Sequence, residues 1–494
     1  MLTTAHIFTV LTNNQATLQT GVAPLLVMAW NGQINQPLLG VSTDTRQLQP
    51  TQLFAALRGD TFDGNQMAIK AAQAGAGAAL MDDAALANQL NAGFPQLPIY
   101  LVSDTRRALA ALAGFWRQQF VLPVIGVCGS NGKTTVKEMI HSILCADTGA
   151  DYVLATKGNL NNEIGVPLTL FRLNAQHRAS VIEMGMNHSG EIAQLAAIAQ
   201  ASVALVNNAQ REHQEFMHDV KSVAIENGAV IQALAPDGVA VFPEDDEFTS
   251  LWRSFAARRK CVTFGYRTAA TISADADAQP NNFQMIEAYQ RYTVQLHIAG
   301  RHNVRNAMAA AACARAINIS WPNICKGLNT FRPVAGRLVT HQLPNGTTLI
   351  DDSYNANPDS VLAAIDVLKS LPRPRALMLG DMGEVGDKGS EFHSEIGTYA
   401  ALAGIDCVIT HGELSRFTQA ACLAAGGTAI HVDSIETAQS QAQQLSSQHY
   451  HLLVKGSRFM RMERVVTTLL KTAPAGVSPL VTNPAVTDSV SRAH

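Results

Sequence analysis

A strand, a glycine loop and a helix follow one another around residue 130, and this succession constrains the chain more than any other feature. The apolar run Val121-Leu-Pro-Val-Ile-Gly-Val127 reads as the strand. Gly126-Val-Cys-Gly-Ser-Asn-Gly-Lys-Thr-Thr135 supplies the loop. Val136, Met139, Ile140, Ile143 and Leu144 then recur at helical spacing and mark one face of a helix over 136–146. Successive backbone N–H groups of such a loop can cradle phosphate oxygens at a helix N-terminus. A lysine at position 133 can reach the outer phosphates, and the Thr134 hydroxyl can hold Mg²⁺. The usual spacing places a glycine where Val127 stands; here the glycines are Gly126 and Gly129.

The rest of the chain repeats the alternation. Apolar runs at 180–183, 204–207 and 239–242 alternate with helical stretches at 191–200 and 221–234. This predicts an α/β fold with a mostly parallel sheet covered on both faces. A polar stretch at 267–284 reads as an excursion, and Val304–Ile317 as a closely packed, alanine-rich helix. A smaller α/β unit precedes these elements, with a helix from Ala68 to Ala79 and buried strands at 78–81 and 99–102. Near residue 335 the pattern restarts with strands at 349–352, 376–379, 407–410 and 451–454, which predicts a Rossmann-like third unit. The expected division is 1–104, 105–335 and 336–474, with a frayed tail over 475–494.

Composition narrows the class. Lys plus Arg is 36 against 39 Asp plus Glu, a net charge of −3, which disfavours a general nucleic-acid binder. The longest N-terminal apolar run, Gly21–Trp30, is about half a membrane span, so no membrane span is expected. Seven cysteines without a C-x-x-C pair do not make a disulfide framework and fit a reducing cytoplasm.

Several polar residues sit where strands end, the edge at which open α/β sheets bind ligands. Glu183 ends an apolar strand and reads as a metal ligand or as a solvated strand-end acid. His213 follows the next strand and reads as a ligand or as a structural histidine. Asn159-Leu-Asn-Asn-Glu-Ile-Gly-Val-Pro167 offers amides suited to amide and sugar partners, or to ordinary turns. Gly300-Arg-His-Asn-Val-Arg-Asn306 opens the alanine-rich helix, which His302 or Asn303 could cap. Asp351-Asp-Ser-Tyr-Asn-Ala-Asn-Pro358, Leu379-Gly-Asp-Met-Gly-Glu384 and Lys455-Gly-Ser-Arg458 lie at three strand ends of the third unit and suggest one binding face.

Taken together, the motifs resemble those of the Mur ligases of peptidoglycan synthesis, from about Ser42 to Glu463. The loop over 129–135 is shared with folylpolyglutamate synthases. More specific are Asp44-Thr-Arg46 with Phe62-Asp-Gly64, Asn161-Asn-Glu-Ile-Gly-Val-Pro167, Leu379-Gly-Asp-Met-Gly-Glu384 with His393, and Lys455-Gly-Ser-Arg458 with Met460 and Glu463. Tyr354-Asn-Ala-Asn-Pro358 points to the family's dipeptide-adding branch.

The resemblance implies an N-terminal UDP-binding domain, a central P-loop ATPase-like domain and a C-terminal Rossmann-like domain. It implies an ADP-forming ligase, a cytoplasmic monomer that uses ATP and Mg²⁺. The peptide substrates would be UDP-N-acetylmuramoyl-tripeptide and D-alanyl-D-alanine, joined through an acyl phosphate. Carried over by position, Gly129, Ser130, Asn131, Gly132, Lys133, Thr134 and Thr135 would hold ATP, with Asn303 and Asn306 on the adenine side and Asp352 on the ribose. Thr134, Glu183 and His213 would hold magnesium, and Arg337 would reach the γ-phosphate; Lys133, Glu183, His213 and Arg337 form the catalytic set. Thr43, Asp44, Thr45 and Arg46 would lie on the nucleotide-sugar side. Asn161, Asn162, Tyr354, Asn357, Lys455 and Ser457 would face the peptide and acceptor. The chain departs from the family where a carbamylated lysine usually completes a second metal site: that register holds Asn227, beside Glu226. A related amide ligase of the folylpolyglutamate synthase type, or an ATP-switched binding protein without ligase activity, are the alternatives.

Overall fold

The computed structural model describes residues 2–13, 25–31, 35–275 and 277–471. The expected tail over 475–494 lies outside them. Three sheets follow in chain order. The N-terminal sheet has five strands; Val41–Ser42, Leu53–Ala55, Ala78–Met81 and Ile99–Val102 run parallel, and Leu26–Trp30 adds an antiparallel edge. The expected helix over 68–79 is shorter. It spans Ala68–Gln73, because Gly75 turns the chain with φ +89° before the strand at Ala78.

The central sheet has nine strands. Val124–Cys128 lies between Ala179–Glu183 and Val203–Val206, all parallel, so the glycine loop leaves an interior strand of the sheet. Burial on both faces explains why these strands read as continuous apolar runs. The stretch over 267–284, expected as an excursion, instead extends the same sheet: Ile272–Ala274 adds a parallel strand, and Phe283–Glu287 and Gln290–Val294 follow antiparallel. Phe283, Met285 and Val294 share the inward face there while Gln284, Arg291 and Thr293 lie on the other, so alternation hid the strands behind polar residues. The third sheet has six strands, five of them parallel and edged by antiparallel Val339–Gln342.

Two joints hold the units together. The helix Thr105–Gln118 buries Ala108, Leu109 and Leu112 in the N-terminal core, while Ala113 packs into the central core. Arg117 donates to the carbonyl of Ala199 at 3.1 Å. That helix, expected to open the central domain, is shared by both. On the other side, the alanine-rich helix Arg301–Ala316 and the third-domain helix Pro358–Lys369 contribute to one continuous apolar core. Among the described residues, no helix is long and apolar enough to cross a membrane.

Candidate active site

The glycine loop connects Val124–Cys128 to the helix Lys133–Thr148. Gly132 has φ +80°, and a Cβ there would lie 2.7 Å from Asn306 Oδ1, so both backbone and space demand glycine. The loop is held by a chain of amides. Asn306 Nδ2 donates to Asn303 Oδ1 at 2.9 Å, Asn207 Nδ2 donates to Asn306 Oδ1 at 3.0 Å, and Asn207 Nδ2 also reaches the carbonyl of Asn131 at 2.8 Å. Asn303 and Asn306 are buried and brace the loop from behind. From above, Asn208 Oδ1 accepts from the Asn131 N–H at 2.9 Å, and the Gln210 N–H donates to Ser130 Oγ at 2.9 Å. Thr135 is buried in the first turn of the helix.

Three elements bring charge to the loop. Thr134 Oγ1 donates to Glu183 Oε1 at 3.0 Å, and Asn161 Nδ2 donates to the same oxygen at 2.9 Å. Lys133 Nζ curls back to the carbonyls of Gly129 and Ser130 and lies 3.0 Å from Glu212 Oε2. His213 Nδ1 lies 2.6 Å from Glu384 Oε2 of the third domain, and its Nε2 lies 3.7 Å from Glu212 Oε2. Two buried carboxylate oxygens, Glu183 Oε2 and Glu212 Oε1, have no hydrogen-bond partner. Orphaned anionic oxygens beside a phosphate-binding loop fit a divalent cation. Among the described residues no three His, Cys, Asp or Glu side chains converge on one point. Mg²⁺ binds through one or two carboxylates, phosphate oxygens and water.

The register position of the missing lysine is now placed. Asn227 is 1% exposed, and its Oδ1 accepts the Gly129 N–H at 2.9 Å. Glu226 turns away: it accepts from the N–H groups of Gly190 and Ile192, both at 2.8 Å, at the start of the helix Glu191–Ala199. It does not replace a carbamate at the loop.

The third domain closes on the loop through Asn357, which exchanges hydrogen bonds with Asn131. Asn357 also caps the helix Pro358–Lys369. Arg211 Nη2 lies 2.6 Å from Asp359 Oδ1, its Nη1 lies 2.6 Å from Glu395 Oε2, and its guanidinium covers the Phe392 ring. Arg337 stacks on Tyr354 at 4.2 Å, with Arg458 over the same ring at 5.6 Å. Asp352 and Lys455, assigned to different substrates by resemblance, pair with each other. Burial raises the Asp352 carboxyl above its usual range, and Lys455 is the first group opposing that shift. Ser457 is buried; its hydroxyl accepts from the Gly383 N–H. Asn162 accepts from the Gly165 N–H at 2.9 Å and shapes its own loop.

In the N-terminal domain, Thr43–Arg46 follow the edge strand Val41–Ser42, with Asp44 and Arg46 in a forked pair at 2.8 Å. An open concavity of about 400 Å³ lies elsewhere on this domain, lined by residues 58–63 and by Gln66 and Met67. Arg106 donates to the Arg58 carbonyl at 2.7 Å and lies 3.6 Å from Glu163, joining that concavity to the Asn161 loop.

Sequence reasoning missed Asn208, Gln210, Arg211 and Glu212. The available signal was a run of polar side chains directly after a buried strand, Asn207–His213.

Comparison with known proteins gives the family. Residues 38–117 match the Mur ligase family catalytic domain, 127–314 the Mur ligase middle domain, and 336–458 the Mur ligase glutamate ligase domain. The chain is 38% identical over 442 residues to the UDP-N-acetylmuramoyl-tripeptide–D-alanyl-D-alanine ligase of Escherichia coli K12, covering 87% of this chain and 93% of the relative.

The chain belongs to the Mur ligase family.

The Bacillus subtilis ligase of the same name is 33% identical, over 89% of this Mur ligase and 95% of its own length. Crystal structure I of MurF from Acinetobacter baumannii superposes with a TM-score of 0.79 at 31% identity, covering 87% of this Mur ligase and 93% of that chain. A folylpolyglutamate synthase of Mycobacterium tuberculosis, at 16% identity and TM-score 0.60, shares the fold alone. The Mur ligase matches thus favour ligase activity and leave the two alternative readings without support of their own.

Proposed function

We propose that this Mur ligase joins D-alanyl-D-alanine to UDP-N-acetylmuramoyl-tripeptide at the expense of ATP, through an acyl phosphate. One observation carries the reading. The Tyr354–Pro358 turn, the element that resembles the dipeptide-adding branch, places Asn357 against Asn131 of the phosphate loop. Acceptor and triphosphate chemistry therefore share one cleft.

A carboxylate cannot expel oxide, so the tripeptide carboxylate needs a better leaving group before an amine attacks. It takes the γ-phosphoryl group of ATP, ADP leaves, and the dipeptide amine then displaces phosphate from the acyl carbon. Two anions must approach each other for the first step. The loop N–H groups and Lys133 receive the phosphate charge, and Arg337 adds a cation from the third domain. Thr134, which donates to Glu183, together with Glu183 and His213 would hold Mg²⁺, which when bound would neutralise the triphosphate. Asn303 and Asn306 set the height of the loop floor from behind. Asp352, held by Lys455 at the third-domain strand ends, would take the ribose. Thr43–Arg46 and the Arg58–Met67 concavity provide the N-terminal domain's side of the nucleotide-sugar site. Closure of the third domain through Asn357 and Arg211 excludes water from a hydrolysable intermediate.

The test is product mass. The protein, ATP, magnesium, UDP-N-acetylmuramoyl-tripeptide and D-alanyl-D-alanine should give the pentapeptide and ADP. ATP hydrolysis without a new amide would overturn the reading.

A further inference from the structure

Residues 208–215 form a strap that touches the phosphate loop and the third domain at once. Asn208 and Gln210 hold the loop, Arg211 pairs with Asp359 and Glu395, and the Glu215 N–H donates to the Glu384 carbonyl at 3.2 Å. Glu212 lies in the middle of the strap. It is 6% exposed, its Oε2 takes the Lys133 ammonium at 3.0 Å, and its Oε1 is buried without a partner.

This arrangement is unstable in two respects that one event resolves. The lysine that must meet phosphate is occupied by a protein carboxylate, so Glu212 competes with the nucleotide. The orphaned oxygen keeps an uncompensated desolvation cost. When a triphosphate takes Lys133, Glu212 is left facing like charge, which a cation between them relieves. The neighbouring groups cannot make this exchange. Glu226 is committed to Gly190 and Ile192, Asn227 is neutral and holds the Gly129 N–H, and Glu183, whose Oε2 also lacks a partner, is held by Thr134 and Asn161 and has no lysine to give up.

We propose that Glu212 is a positioning residue that exchanges partners: it holds Lys133 while the loop is empty and turns to the divalent cation once the triphosphate takes the lysine. The proposal rests on the reading that this loop binds a magnesium nucleotide. It makes Glu212 the link through which cation and nucleotide strengthen each other's binding, with no change in the reaction catalysed.

Titration calorimetry with ADP, in magnesium and in EDTA, tests it without turnover. In the unmodified protein magnesium should tighten ADP strongly. Glu212→Gln keeps the shape and removes the charge. It should bind ADP about tenfold more tightly in EDTA, and the tightening by magnesium should fall by about tenfold. In a Lys133→Met background the same substitution should leave ADP affinity in EDTA unchanged, because the competition runs through the lysine. This second pair of variants keeps the outcome readable if Glu212→Gln alone melts early. Equal magnesium tightening in the unmodified protein and Glu212→Gln, or weaker ADP binding by Glu212→Gln in EDTA, overturns the exchange. Absence of ADP binding by the unmodified protein under both conditions overturns the nucleotide reading itself, and the proposal with it.

Discussion

The carboxamides of Asn131 and Asn357 hydrogen-bond to each other in both directions, at 3.2 and 2.9 Å, across 226 residues of chain. One belongs to the phosphate loop and the other is the N-cap of a third-domain helix. The pair thus ties the loop to the domain that closes over it.

Asn357→Ala should therefore do two things. Loss of the cap on Pro358–Lys369 should cost about 1 kcal/mol of stability, read as a lower melting temperature. Loss of the amide pair should reduce kcat more than the cap alone explains. Asn357→Asp keeps the cap but removes the donor to Asn131, so it should restore melting and not turnover. Restored turnover in Asn357→Asp would show that only the cap matters.

Lys133→Ala should slow acyl-phosphate formation, lowering turnover by roughly 10³-fold. It also strands Glu212 as a buried charge and should destabilise the protein by about 1–3 kcal/mol. Adding Glu212→Gln should recover most of that stability and none of the activity. Chemical denaturation and single-turnover assays separate the two effects.

Arg337→Ala should lower kcat by about tenfold to a hundredfold while leaving UDP-substrate affinity within about twofold. The guanidinium is already placed by stacking on Tyr354, and in the proposed function it would reach ATP from the third domain. A collapse of UDP-substrate affinity with intact ATP chemistry would remove the assignment.

Activity should be unchanged when bicarbonate is stripped or restored. The family's carbamylated position is Asn227, whose carbonyl oxygen binds the Gly129 N–H, and Lys221 is exposed at the far end of the same helix. Asn227→Lys loses that acceptor unless the lysine is carbamylated, so its activity should become bicarbonate-dependent. Bicarbonate-dependent turnover in the unmodified protein would mean that a different lysine is modified.

His393 should make the third domain acid-sensitive. Burial lowers its pKa from 6.5 to about 4, and it stays neutral to accept the Met382 N–H and meet Thr418. Below pH 6.5 the unfolded chain binds a proton that the folded chain refuses. The stability is full above that pH and is lost as pH falls toward about 4, by up to roughly 3 kcal/mol. Melting temperature measured from pH 7.5 to 4.5 should fall less steeply in His393→Gln. An identical slope would show that His393 does not control the transition.

The sequence determined what is local. Strand, loop and helix around Lys133 follow from apolar runs, glycines and helical spacing, because each depends on neighbours a few residues apart. The three α/β units were legible for the same reason. Glu183 was marked by its place at a strand end, and Thr134 by its place after the lysine. Tertiary structure alone decided how these residues are paired. Glu212 meets Lys133 across 79 residues, Asp352 meets Lys455 across 103, and Asn357 meets Asn131 across 226. It also decided that Glu226 caps a helix while Asn227 holds the loop, although the two are adjacent in sequence. On a helix, neighbouring residues point about 100° apart, so one can face the loop while the next faces another element. The strands at 283–287 and 290–294 were hidden for a related reason: at an antiparallel edge only alternate side chains need be apolar, and the backbone pairing that defines the strand leaves no mark on composition.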